Sequence, residues 1–288
     1  MRKDNSLENI IHEKYLLLSK RQKAIADFLL HSPDVHMDMT AKQVAQKLLI
    51  SESTVVRFAQ ELDLEGYRDL QELMNDYIKS TSTTVDRLSF SSDSTPQTSF
   101  IQSAIESEIT TLRKAKDNLN LETFVKIVDS LNTSKRVFIL GCRTSYYLAS
   151  YLAFYMRLIK DNVFLLGNNH TTIYEEMASI NEGDVLFVFS FPRYTNASVD
   201  IASLARNNGA KIIAMTDNEN NRISRISDLV LSVDNNILFF VDSLAAPMAI
   251  LNAMIVELSM LNKQQTINSL SKMEKIWQTH KIFETKEQ

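Results

Sequence analysis

The sequence predicts a multi-domain protein: an all-α N-terminal helix-turn-helix domain, then an α/β domain on a parallel five-stranded sheet flanked by helices. Three observations carry this. Over residues 1–79 apolar residues recur at helical spacing. A stretch dominated by Ser and Thr follows, KSTSTTVDRLSFSSDSTPQTS. From residue 100 onward, short apolar runs alternate with helical segments, the pattern of a parallel sheet sandwiched by helices.

Taking the chain in order, Leu17, Leu18, Ile25, Phe28 and Leu29 fall at helical spacing, and His31-Ser32-Pro33 closes that helix. A second helix opens at Thr40, whose T-x-x-Q spacing to Gln43 is a capping box. A third runs from about Glu52 to Leu62, and Gly66 separates it from a fourth at Tyr67 through Lys79. Residues 80–99 hold too few apolar side chains to bury and read as a flexible linker. The domain from 100 to 288 begins with helices at Phe100–Leu119 and Leu121–Leu131.

Strands are expected at 136–140, 163–166, 185–189, 211–215 and 229–233, separated by helices at 146–159, 171–180 and 197–207 and a short one near Ile223. A long apolar helix, Leu244–Leu261, and a terminal one near 267–283 complete the chain. Pro247, Asn252 and Glu257 interrupt the apolar helix, so it reads as a buried core helix and not a membrane span.

A hydrophobic content of 44% with 23% charged residues is that of a soluble globular protein, and 288 residues suffice for a substantial core. The net charge of -4 predicts neither a nucleic-acid coat protein nor a polybasic membrane binder, and leaves room for a local basic patch. Cys142 is the single cysteine, and no Cys/His ligand cluster exists. That favours a reducing cytoplasm and argues against structural zinc; no cofactor is expected. The N-terminus has no signal-type apolar segment.

In TAKQVAQKLLISESTVVRFAQEL, Val44, Ala45, Leu48, Ile50, Val55 and Phe58 let two short helices pack across a tight turn. Ser51 or Ser53 is expected to cap the second helix, leaving Ser53, Thr54, Arg57 and Gln60 on its exposed face. Such a helix enters the DNA major groove. Hydroxyls and backbone amides at its start suit phosphate oxygens, and Arg57 suits bidentate readout of guanine. Lys42 and Arg68 are candidate phosphate partners. An ordinary capped helical hairpin fits the same spacing, and Leu49 stands where a small turn residue is usual.

The apolar run Val185–Phe189 ends abruptly at Ser190-Phe191-Pro192-Arg193-Tyr194-Thr195 before helical spacing resumes. A buried parallel strand delivering a loop in this way is how open sheets present ligand sites.

Two regions of the chain carry a resemblance. SKRQKAIADFLLHSP and MTAKQVAQKLLISESTVVRFAQELDLEGYRDLQ are similar to the N-terminal domain of RpiR-type transcription regulators. The second half resembles the SIS (sugar isomerase) domain these regulators carry as a sensor. The resemblance implies a DNA-binding regulator of sugar or related carbon metabolism whose effector is a phosphorylated sugar or another small anion. In the first SIS loop Gly141 and Ser145 match the family pattern, with Cys142-Arg143-Thr144 between them and no second glycine. In the second, Ser190 and Thr195 match, while Pro192 and Arg193 replace a serine and a glycine.

Arg143 and Arg193 would stand at neighbouring strand ends as charged forks for phosphate or carboxylate. The implied effector set is Arg143, Thr144, Ser145, Ser190, Arg193, Tyr194 and Thr195, with the polar pair Asp242-Ser243 before the last long helix and His170 as a further candidate. Helix capping alone would also explain Ser145, Ser190, Thr195 and Ser243.

A helix-turn-helix monomer makes few contacts, so a homodimer or higher homo-oligomer on a double-stranded operator is expected, with no membrane partner. The alternative is a sugar-phosphate isomerase using the same fold, for which Glu175, Glu176 and His170 are the candidate bases. A metabolite-binding adaptor without DNA contact is a third reading.

Overall fold

The computed structural model describes residues 7–32, 39–81, 83–85, 97–167, 173–235, 237–238 and 241–284. His170 and most of the 80–99 stretch lie outside the described residues. The chain divides into two units, residues 1–95 with 239–241, and residues 96–238 with 242–288.

In the first unit, α1 (Leu7–Lys14) leads into a short 3-10 turn, Tyr15–Leu17. Helix α2 (Lys20–His31) begins only at the Ser19–Gln22 capping box. That corrects the expected pattern. Leu17 lies ahead of the helix and is exposed, while Ile25 and Leu29 are buried. Helices α3 (Ala41–Leu48), α4 (Glu52–Glu61) and α5 (Tyr67–Thr81) follow. Val44 and Ala45 on α3 meet Val55, Phe58 and Ala59 on α4 and Leu70 and Met74 on α5 in one core. Ala45 keeps the first two helices close.

The second unit opens with α6 (Gln97–Asn118) and α7 (Leu121–Thr133). Then come β1 (Val137–Gly141), α8 (Ser145–Arg157), β2 (Val163–Leu166), α9 (Ile173–Met177), β3 (Val185–Phe189) and α10 (Asn196–Asn207). Strand β4 (Lys211–Thr216), α11 (Arg222–Ile226) and β5 (Leu229–Ser232) finish the sheet. A two-stranded ladder that periodicity does not reveal, β6 (Ile237–Leu238) with β7 (Val241–Asp242), precedes α12 (Ala245–Leu261) and α13 (Lys263–Thr279).

The five strands are parallel in the order β2-β1-β3-β4-β5. Alternate residues of each strand enter separate cores. Ile139, Phe187 and Met215 pack with α7, α8 and α12 on one face, and Leu140, Val188 and Ala214 with α9 and α10 on the other. Burial on both faces is why these strands read as unbroken apolar runs. At the N-terminal edge, Arg136 donates two hydrogen bonds to buried Asp184, at 3.1 and 2.5 Å, tying β1 to β3. Burial raises the Asp184 carboxyl, but the Arg136 guanidinium and the Asn181 N–H outweigh it and hold the pKa below the usual carboxylate value.

Helix α12 is not wholly buried, contrary to the sequence expectation. Ala246, Ile250, Leu251 and Met254 line the core, while Val256 and Met260 are more than half exposed. Among the described residues no single helix is long and apolar enough to cross a membrane.

Candidate functional site

The turn between α3 and α4 is built on Leu49, which adopts the left-handed conformation with φ 54° and ψ 42°. The Ile50 N–H donates back to the Ala45 carbonyl at 3.0 Å, closing the end of α3. Ser51 occupies the N-cap position of α4, yet its side chain makes no cap bond. Its hydroxyl instead lies 2.9 Å from Ser53 Oγ and 2.8 Å from Thr54 Oγ1, so the expected side-chain cap is replaced by a hydroxyl cluster at the helix start.

Ser53, Arg57 and Gln60 are exposed on α4 and Thr54 is half-buried, while Val55, Phe58 and Ala59 face the core. Lys42 is exposed on α3. Arg68 is exposed on α5 and lies 3.5 Å from Glu72, one turn further on. Lys14 Nζ donates to the Glu61 carbonyl at 2.7 Å and pairs with Asp63, securing the last turn of α4. Tyr67 donates to the Met39 carbonyl at 2.6 Å, and burial pushes its phenol up to about 12.

In the second unit the sheet order places the topological switch point between β1 and β3, where Gly141 and Phe189 are register partners. Ligands of open parallel sheets bind beyond the C-terminal strand ends at such a point. The loops 141–145 and 190–195 leave from it. A Cβ on Gly141 would lie 2.3 Å from the Ser145 carbonyl oxygen, so glycine lets α8 start tightly against β1.

Arg143 has φ 55° and Arg193 φ 65°, both in the left-handed region. The loops therefore keep the backbone turn that glycine would favour, although an arginine stands in each. Each side chain is exposed, and holding a non-glycine residue there costs about 1–2 kcal/mol. Strain of this kind persists where the surrounding structure imposes it, and clusters at ligand sites.

Ser190 continues the β3 ladder, its N–H donating to the Met215 carbonyl at 3.1 Å. Its hydroxyl is buried and has no hydrogen-bond partner. It does not cap a helix, and an unmet buried hydroxyl costs about 1–3 kcal/mol. The hydroxyls of Thr144, Tyr194 and Thr195 are engaged. Thr195 stands at the N-cap of α10 without a cap bond and lies 2.8 Å from Ser198 Oγ, which in turn donates to Cys142 Sγ. Thr144, not Ser145, holds the N-cap position of α8, and Ser145 is buried in its first turn.

Tyr194 donates to Asp217 at 2.9 Å, Thr144 to Asp242 at 3.2 Å and Ser243 to Glu108 at 2.6 Å. Ser243 Oγ also accepts from the Ala245 N–H at 3.2 Å. Asp217 and Glu108 are thus the acceptors for the site residues Tyr194 and Ser243. Asp217 had a cue as the polar residue ending the Lys211–Thr216 run, whereas Glu108 sits mid-helix and had none. Glu175 and Glu176 are exposed on the short helix α9.

The helix-turn-helix domain model of the rpiR family matches residues 5–81, and the SIS domain model matches residues 130–257. The chain carries a helix-turn-helix domain of the rpiR family and, after it, a SIS domain.

The chain joins the two domains in that order. It is 26% identical over 236 residues to an uncharacterized HTH-type transcriptional regulator of Haemophilus influenzae, covering 80% of this chain and 81% of that protein. It is also 26% identical over 219 residues to the HTH-type transcriptional regulator HexR of Escherichia coli strain K12, covering 75% and 74%. The Vibrio vulnificus NanR protein complexed with ManNAc-6P matches 94% of this chain and 98% of its own, with a TM-score of 0.57 at 17% identity. That likeness is one of fold.

Proposed function

We propose that this rpiR-family regulator reads operator DNA with α4 and senses a phosphorylated sugar, or a closely related anionic metabolite, at the β1/β3 switch point. The observation that carries the sensor reading is the buried, unpartnered Ser190 hydroxyl beside two loops shaped by left-handed arginines. A phosphate or carboxylate oxygen at Ser190 would accept its hydroxyl proton, with Arg143 and Arg193 supplying charge at the loop tips. Thr144, Ser145, Tyr194, Thr195, Asp242 and Ser243 complete the proposed site. That the NanR structure holds a sugar phosphate in the same fold supports the ligand class.

On the DNA side, Ser51, Ser53, Thr54 and Lys42 take phosphate contacts, Arg57 reads a base edge and Arg68 reaches the flanking backbone. A regulator is favoured over an isomerase because the chain carries a family DNA-binding domain and because the candidate bases Glu175 and Glu176 lie exposed on α9.

We assign residues 1–79 to DNA binding, 80–99 to the linker and 100–288 to effector binding. We place the working unit in the cytoplasm as a homodimer or larger homo-oligomer. Exposed Val256 and Met260 on α12 and Phe154 on α8 support that assembly.

The test is a melting-temperature screen of the full chain against phosphosugars, sugar acids and inorganic phosphate, followed by anisotropy titration on DNA from the region upstream of its own gene. One phosphosugar should raise the melting point and shift DNA affinity. Binding that leaves DNA affinity unchanged, or turnover of the sugar phosphate, would overturn the reading.

A further inference from the structure

The effector site as described uses the ends of β1 and β3. A second open hydrogen-bonding demand lies along the same edge of the sheet. Asn235 is 1% exposed, and both its Nδ2 and its Oδ1 are buried without a partner. The Val233 N–H donates to the Thr216 carbonyl at 2.8 Å, so the chain passes the C-terminal end of β4 and reaches Asn235 two residues later. Ser190 passes the same end of β4 on the opposite side through its bond to Met215. The residues thus follow two strands separated by β4 alone, about 10 Å apart at about 4.8 Å per strand spacing.

Between them the polar groups satisfy one another. Asn221 donates to Thr216 Oγ1 at 2.7 Å, Tyr194 and Thr216 donate to Asp217, and Ser224 donates to the Asn218 carbonyl at 2.8 Å. The end of β4 is closed, whereas the demands that follow β3 and β5 are open. Buried polar groups are nearly always paired, so two orphans at one sheet edge call for a shared explanation.

We propose that Asn235 is the second anchor of the effector site, binding a neutral hydroxyl or amide group of a ligand whose anionic end lies at Ser190. The inference rests on the sensor reading above. A primary amide offers donors and an acceptor together, which suits a hydroxyl or an N-acyl group and not a second anion. A sugar chain of five or six carbons with a phosphate at one end has the reach to span both. Asn235 would then distinguish a sugar phosphate from phosphate alone.

The experiment is calorimetric titration of the full chain and of Asn235→Leu with inorganic phosphate and with five- and six-carbon sugar phosphates, N-acetylmannosamine 6-phosphate included. Phosphate should bind both proteins equally. The best sugar phosphate should bind the wild type at least tenfold more tightly than phosphate does, and that advantage should vanish in the variant. The unliganded variant should melt no lower than the wild type, since it removes an unpaired polar group. If Asn235→Leu does not fold, Asn235→Ala carries the same comparison. An undiminished advantage in a folded variant, as when a buried water alone occupies the amide, overturns the proposal. So does a wild type that binds phosphate and sugar phosphates equally, with the sensor reading intact. A wild type that binds none of the probes overturns both.

Discussion

Ser243 Oγ donates to the Glu108 carboxylate at 2.6 Å, joining the residues just before α12 to the middle of α6 across 135 positions of sequence. Its neighbour Asp242 accepts from Thr144 in the first loop at 3.2 Å. A ligand that engages Ser243 therefore competes with a bond that holds α6. Helix α6 begins at Gln97, one residue into the second unit. If the proposed sensor reading holds, α6 is the element whose hold on the site should change when ligand binds.

Glu108→Ala should accordingly leave effector binding within a few-fold of wild type and weaken its effect on DNA. Coupling of this kind is typically worth about 1–3 kcal/mol, and we expect about tenfold of it to be lost. DNA titrations with and without saturating effector measure it. Full coupling in the variant would remove α6 from the path.

Arg57→Ala should lower affinity for the operator by about 10- to 100-fold, the range of a lost bidentate base contact, and should flatten discrimination against scrambled DNA. The side chain is exposed, so the melting temperature should hold. Parallel loss of DNA and effector binding would point to misfolding.

Leu49→Gly should stabilise the protein by roughly 0.5–1 kcal/mol. Glycine removes the penalty at φ 54° and returns part of it as unfolded-chain entropy. Leu49 is 93% exposed, so little buried apolar contact is lost. Urea unfolding of the isolated change checks it, and destabilisation would show that the leucine packs against something.

Tyr67 makes the stability of the first unit pH-dependent. Its phenol titrates near 10 in the unfolded chain and at about 12 in the fold because burial penalises the phenolate. Its contribution is complete below pH 10 and is lost as pH rises toward 12. Tyr67→Phe should flatten the fall in melting temperature over that window while costing the Met39 hydrogen bond at neutral pH. An unchanged alkaline slope would exclude Tyr67 as its source.

Much of the fold was legible because its signals are local. Unbroken apolar runs marked β1, β3 and β4, since strands covered on both faces need no alternation. The Thr40–Gln43 box marked the start of α3 through contacts three residues apart. Leu17 misled for the converse reason. It fits the helical period, but the Ser19 box starts the helix after it, and period alone does not sense a cap.

In the candidate site, arginines at 143 and 193 adopt the left-handed conformation that residue type alone would assign to glycine.

By itself the sequence determined the order of the two domains, the five strands of the parallel sheet and the polar residues that follow them, because each depends on neighbours within a few positions. Only the tertiary structure decided which of those polar groups remain unsatisfied. Thr195 finds Ser198 and Tyr194 finds Asp217, whereas Ser190 and Asn235 find no partner. Hydrogen-bond satisfaction depends on what the fold brings within about 3 Å, and residue type does not carry that information.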